Sequence, residues 1–104
     1  MSPRPLAPAM PEAELQGAVV KLCKLLGLQW HHQHYSIGSR KGWPDLVICG
    51  RGILFRELKR EGNGPTAAQL AWGEILRRAG QDWDVWKPSD LQNGRIQREL
   101  EAIR

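Results

Sequence analysis

The stretch Gly42-Trp43-Pro44-Asp45-Leu46-Val47-Ile48-Cys49-Gly50-Arg51-Gly52-Ile53-Leu54-Phe55-Arg56-Glu57-Leu58-Lys59 decides how this chain is read. Asp45 to Cys49 reads as a short buried strand, because its apolar residues run without interruption between turn signals. Gly50-Arg51-Gly52 makes a tight turn, and Ile53 to Arg60 reads as the hairpin partner. Successive side chains on a strand point to opposite faces, so Glu57 and Lys59 share one face while Leu58 points into apolar surroundings. Asp45 opens the first strand, and hairpin pairing brings it beside Glu57. Two carboxylates and one ammonium are therefore expected close together.

Upstream of this hairpin, Tyr35 to Trp43 reads as a polar, glycine-bearing loop, and Leu28 to Gln33 as a short strand. From Glu12 to Leu26 the apolar positions Leu15, Ala18, Val19, Leu22, Leu25 and Leu26 follow helical spacing, and Gly27 stops the helix. Residues 1 to 11 carry Pro3, Pro5, Pro8 and Pro11, which suit neither helix nor regular strand, so this segment is read as a loose arm. Downstream, Gly62-Asn63-Gly64-Pro65 breaks the chain. Thr66 with Gln69 three residues later has the form of a capping box, predicting a helix from about Ala67 to Ala79 that ends at Gly80. Trp83 to Trp86 reads as a strand, Pro88-Ser89-Asp90 as a turn, and Arg95 to Ile103 as a last helix. The order α-β-β-β-α-β-α makes a mixed α/β domain over residues 12 to 104, with helices packed on a small central sheet. At 104 residues there is room for one domain.

Composition narrows the function. The chain is 41% hydrophobic and 25% charged, ordinary values for a soluble globular domain, and its formal charge of +4 favours a polyanionic partner. No window approaches the roughly 18 apolar residues needed to span a membrane. Two cysteines, Cys23 and Cys49, make no disulfide framework, and the N-terminus has no apolar signal-peptide core, so a cytoplasmic setting is expected. His31, His32 and His34 with the cysteines fit no familiar zinc spacing; a polar strand or a DNA-facing loop suits them better. Of the five Trp, Trp72, Trp83 and Trp86 are read as core or dimer seam rather than as base-stacking platforms.

The hairpin trio carries chemistry. Close carboxylates repel each other unless a cation lies between them. Their hard oxygens hold Mg²⁺ or Mn²⁺, which neutralises charge on a phosphate and acidifies a bound water. A neighbouring lysine can orient or deprotonate that water. Phosphodiester hydrolysis needs this combination, whereas an isolated Glu-x-Lys triplet is ordinarily a pair of solvated charges on an exposed strand. Asp45 placed one hairpin upstream, on an apolar strand, separates the two readings.

The run Gly42 to Ile48, with Phe55-Arg56-Glu57-Leu58-Lys59 and Thr66-Ala67-Ala68-Gln69, resembles the VRR-NUC branch of the PD-(D/E)xK nuclease superfamily, whose members include stand-alone phage proteins and the nuclease domain of a eukaryotic crosslink-repair enzyme. The likeness extends upstream to Glu14-Leu15-Gln16 and downstream to Trp86-Lys87-Pro88-Ser89-Asp90 and Gly94-Arg95-Ile96, covering about residues 12 to 104. Trp43-Pro44 departs from the usual small or β-branched residue after the glycine, which touches only the local loop shape. The resemblance implies a restriction-endonuclease-like mixed central sheet flanked by helices. It implies that Glu14, Asp45, Glu57 and the Leu58 backbone carbonyl hold the metal, that Lys59 is the catalytic lysine, and that Gln69 sits near the scissile phosphate or the attacking water. From the residues alone Glu14 is also an ordinary first-turn glutamate, with Glu12 competing for its role, and Gln69 is also the capping partner of Thr66.

Arg40 and Lys41 on the loop before Asp45 are candidates for backbone phosphate contacts, with Arg56 and Arg60 in a similar role. With no second domain to read a long sequence, selectivity for DNA shape is expected. A two-fold homodimer that resolves four-way (Holliday) junctions is the preferred expectation, with a phage replication or DNA repair role plausible from the family. A flap or single-strand nuclease of the same superfamily, and a non-catalytic nucleic-acid-binding module that retains the fold, stand as alternatives.

Overall fold

The computed structural model describes residues 10–33 and 40–104. The arm read over residues 1 to 11 falls almost wholly outside the described residues, as do His34 and most of the loop read over Tyr35 to Trp43.

Helix α1 spans Glu12–Leu26. Glu12 and Glu14 lie in its first turn, where negative charge offsets the helix dipole. Gly27 closes it at φ 72°, and the N–H groups of Gly27 and Leu28 cap the carbonyls of Lys24 and Cys23. Strands β1 (Gln29–His32), β2 (Leu46–Cys49), β3 (Ile53–Leu58) and β4 (Asp82–Trp86) form a four-stranded sheet in chain order among the described residues. β1 to β3 are antiparallel, and β4 runs parallel to β3 because helix α2 (Ala67–Arg78) makes the crossover between them. The expected capping box starts α2: Thr66 Oγ1 accepts from Gln69 N at 3.2 Å, and Gln69 Oε1 accepts from Thr66 N at 2.9 Å.

After β4 come a five-residue helix α3 (Pro88–Gln92) and the last helix α4 (Arg95–Ala102). The sequence reading had only a turn at α3. Pro88 opens this helix, where a missing N–H costs nothing, and Asp90 reaches back to the Lys87 N–H at 2.8 Å. A single turn and a half is too short to show periodicity in sequence.

The sheet is covered on both faces. Leu46, Ile48, Leu54, Leu58 and Trp86 meet Leu15, Val19 and Cys23 of α1 and Ile96 and Leu100 of α4 in one apolar cluster. The opposite face carries Phe55, Glu57 and Trp83 and lies under α2. There Gly73 gives the Trp83 indole its seat: a Cβ added at Gly73 would stand 2.6 Å from the ring. Gly73→Ala gains helix propensity of about 1 kcal/mol and loses more to overpacking, so a net destabilisation of roughly 1–2 kcal/mol is expected in urea unfolding. An unchanged or raised midpoint would mean that Trp83 has room to shift.

Candidate active site

The site forms at one end of the sheet, where β2 begins and β3 ends. Leu46 pairs with Arg56, so Asp45 lies opposite Glu57 one step further along the ladder. Asp45 ties three strands together: its Oδ2 accepts from Leu58 N at 2.8 Å, and its carbonyl accepts from Gln33 N at 2.9 Å. The half-buried carboxylate is therefore held in place by backbone rather than by other side chains.

Glu57 is fully buried, and neither of its carboxylate oxygens has a hydrogen-bond partner among the described residues. Burial, followed by the Asp45 charge, pushes its pKa up from 4.5 to about 8, against a smaller pull from the Lys59 charge and the Asp45 backbone N–H. That N–H lies near enough to favour the charged form but falls short of hydrogen-bond geometry. A buried carboxylate without donors is costly, and native structures rarely keep one without a use for it. Lys59 follows on the same face as Glu57, half-buried, with its backbone N–H donated to Trp86 O at 3.0 Å.

Helix α1 contributes Glu12, not Glu14. The charge of Glu12 raises the Glu57 pKa, and Glu12 lines a cleft of about 250 Å³ with Ala13, Gln16, His32, Asp45 and Leu58. Both glutamates are exposed, and Glu14 does not line these clefts. The reason is helical phase. At about 100° per residue, Glu12 lies within a narrow angle of the buried Leu15, Val19 and Cys23, whereas Glu14 points well away from them. Sequence proximity to Leu15 suggested Glu14; the roll of the docked helix selects Glu12.

Asp45 also lines a second cleft of about 180 Å³, with Gln33, Arg40, Lys41, Gly42, Trp43 and Gln69. Gly42 makes this possible. Its φ is 94°, and a Cβ there would run into the Ala68 carbonyl, so only glycine lets the loop lie on the first turn of α2. Gln69 thus keeps its capping role and faces the cleft as well.

Arg56 does not reach this surface. It is 1% exposed and lies on the opposite face from Glu57, where it donates to Glu99 Oε1 at 2.7 Å and Asp82 O at 2.7 Å and covers the Trp86 ring at 5.0 Å. The expected phosphate contact is therefore corrected to a buried structural ion pair, because an arginine one residue from Glu57 must face the other side of the sheet. Arg60 is exposed just beyond Lys59. Of the lining residues not expected at the site, His32 and Gln33 belong to a polar stretch, Gln16 is a polar position of α1, Trp43 flanks Asp45 in sequence, and Trp72 was expected in the core or a dimer seam.

No family model matches the chain, and no curated protein matches it. A solved structure described as "VRR_NUC domain" superposes with a TM-score of 0.67 at 28% identity, covering 80% of this chain and 91% of that one. Another, described as "VRR_NUC domain protein", gives 0.61 at 28% identity over 73% of this chain and 76% of its own. The chain carries a VRR-NUC domain. It is thus a nuclease-family domain, and its mixed sheet flanked by helices is the architecture shared with those structures. In this VRR-NUC domain Asp45, Glu57 and Lys59 meet at the sheet end. Among the described residues no three His, Cys, Asp or Glu side chains stand as a ready-made cluster around one ion, and no helix is long and apolar enough to cross a membrane.

Proposed function

We propose that this VRR-NUC domain is a divalent-metal-dependent DNA endonuclease that selects branched DNA and resolves four-way junctions as a homodimer. The observation that carries the reading is the buried Glu57 carboxylate, without a hydrogen-bond partner among the described residues and beside the Asp45 charge. Such a pair calls for a cation, and its oxygen donors suit a hard ion that keeps several waters of its own. Asp45, Glu57 and the Leu58 carbonyl would hold Mg²⁺ or Mn²⁺, with Glu12 near enough to contribute through water. The ion supplies charge neutralisation at the phosphate and a more acidic attacking water.

The chain's own residues do the rest. Lys59 orients the water and takes or shares its proton as the water oxygen bonds to phosphorus. The P–O3′ bond breaks and the departing O3′ takes a proton from solvent water, leaving a 5′-phosphate and a 3′-hydroxyl. Gln69 lies across the cleft from Asp45, where an amide can hold a phosphate oxygen or that water, and Arg40 and Lys41 supply cationic contacts along the backbone. Leu70 and Ile75 of α2 are 52% and 51% exposed on different sides of the helix, and either suits the edge of a contact between two copies. A dyad would then present two sites to the two strands of a junction.

Lys59→Ala is expected to lower the cleavage rate on a labelled four-way junction in Mn²⁺ by about 10³-fold while junction affinity changes less than about threefold. Asp45→Asn should behave alike. Cleavage by Lys59→Ala at the native rate, or junction binding without cleavage by the native chain in every divalent ion, would overturn the reading. Flap, duplex and single-stranded substrates in the same panel rank its preference.

A further inference from the structure

The cleft holding Asp45 and Gln69 does not end at the carboxylates. It opens into a second one of about 260 Å³ lined by Gln33, Arg40, Trp43 and Trp72, and the two share Gln33, Arg40 and Trp43. We propose that this aromatic cleft is a nucleobase subsite, taking one unpaired base of the strand whose phosphate lies at Asp45. The proposal rests on the nuclease reading for the location of that phosphate, and on the cleft itself for the base.

The walls are built for stacking. Trp43 is held edge-on between two rings, Phe55 at 5.9 Å and 86° and Trp72 at 5.0 Å and 87°. Phe55 stands two residues before Glu57 on the same face of β3, so the strand that carries the carboxylate also fixes the aromatic wall. A wall already rigid loses little entropy when a ring is laid on it. Trp72 is half-buried, and the guanidinium of the exposed Arg40 lies 5.3 Å from its ring. A flat cation over an indole is a surface on which a base can stack from either partner. Trp83 and Trp86, by contrast, are consumed by the core.

Charge selects the occupant. Arg40 and Lys41 form the lip, and neither makes an ion pair with any described residue. An apolar peptide would leave those charges unanswered, while a nucleotide answers both features with a π-face and a phosphate. A base can enter only when it is not paired within a duplex. The subsite therefore favours strands with unpaired nucleotides next to the cut, such as the crossover of a junction or the base of a flap, over continuous duplex.

Binding of a fluorescein-labelled single-stranded oligonucleotide to the full chain, followed by anisotropy in EDTA, tests the subsite apart from cleavage. Trp72→Ala is expected to weaken binding by about tenfold, and Trp72→Phe, which keeps a stackable ring, to restore most of it. On an oligonucleotide of abasic nucleotides the native chain and Trp72→Ala should bind alike. Trp72→Leu keeps apolar contact with Trp43 without a stacking face, and serves if the alanine variant melts early; it should match Trp72→Ala. An equal loss on normal and abasic strands, or no loss at all, overturns the subsite. The two readings fail separately: a native chain that binds bases as described and never cuts refutes the nuclease, and one that cuts junctions while ignoring abasic substitution refutes the subsite.

Discussion

Glu57→Gln is expected to abolish cleavage and, in the metal-free protein, to raise thermal stability. Both effects come from one carboxylate. Glu57 is buried without a hydrogen-bond donor among the described residues and faces Asp45, so burial first and the Asp45 charge second lift its pKa from 4.5 to about 8. Because the folded pKa lies above the unfolded one, folding favours the protonated form. Stability is then fully present below about pH 4.5 and is lost progressively as pH rises towards 8, with no further loss above that. Glutamine keeps the size and removes the charge. Thermal melts in EDTA should coincide closely near pH 4.5 and diverge as pH rises, the glutamine variant melting at least about 5 °C higher at pH 8.5. A native midpoint that stays level from pH 4.5 to 8.5 would show that Glu57 ionises without cost. The same linkage predicts that Mg²⁺ or Mn²⁺ affinity, read by calorimetry, falls as pH drops below about 8, because the ion must displace the proton. A protein that keeps a costly charge at its site gives up stability for function.

Arg56→Ala is expected to destabilise the domain by about 3–5 kcal/mol and to lower its melting temperature by more than about 10 °C. The guanidinium is 1% exposed and makes hydrogen bonds of 2.7 Å to Asp82 O, 2.7 Å to Glu99 and 3.1 Å to Phe55 O, with a 3.0 Å ion pair to Asp82. It joins β3, β4 and α4 from inside. Burial would push the Glu99 carboxyl up; hydrogen bonds from Arg56, Trp86 and Arg95 and the charge of Arg56 outweigh it and hold it below the ordinary range. Removing Arg56 leaves Glu99 with Trp86 and Arg95 and takes a buried donor away from the Asp82 and Phe55 carbonyls. Arg56→Lys should recover only part of the loss, since an ammonium cannot span the fork. The outcome that sinks this account is an Arg56→Ala protein of native stability with weakened DNA binding, which would return the residue to the surface role first read from its neighbours in sequence.

The elements with strong local signals were legible in the chain itself. Helical spacing and Gly27 marked α1, the Thr66–Gln69 box marked the start of α2, and Gly50-Arg51-Gly52 marked the hairpin. The meeting of Asp45, Glu57 and Lys59 was legible for the same reason. It follows from strand alternation and hairpin pairing, which depend on residues close in sequence.

What only the tertiary structure decided lies between elements distant in sequence. The roll of α1 on the sheet, set by Leu15, Val19 and Cys23 packing, brings Glu12 rather than Glu14 to the carboxylates. The arrival of α4 with Glu99 turns Arg56 into a buried tie, although its sequence context differs little from that of Arg60. The contact of the Gly42 loop with α2 joins Trp43 to Trp72 and opens the aromatic cleft. Periodicity tells a residue which side of its own element it occupies, and says nothing of which other element will cover that side. The burial of Glu57 belongs to both levels: alternation chose its face, and only the packed structure removed water and left its oxygens without a partner among the described residues.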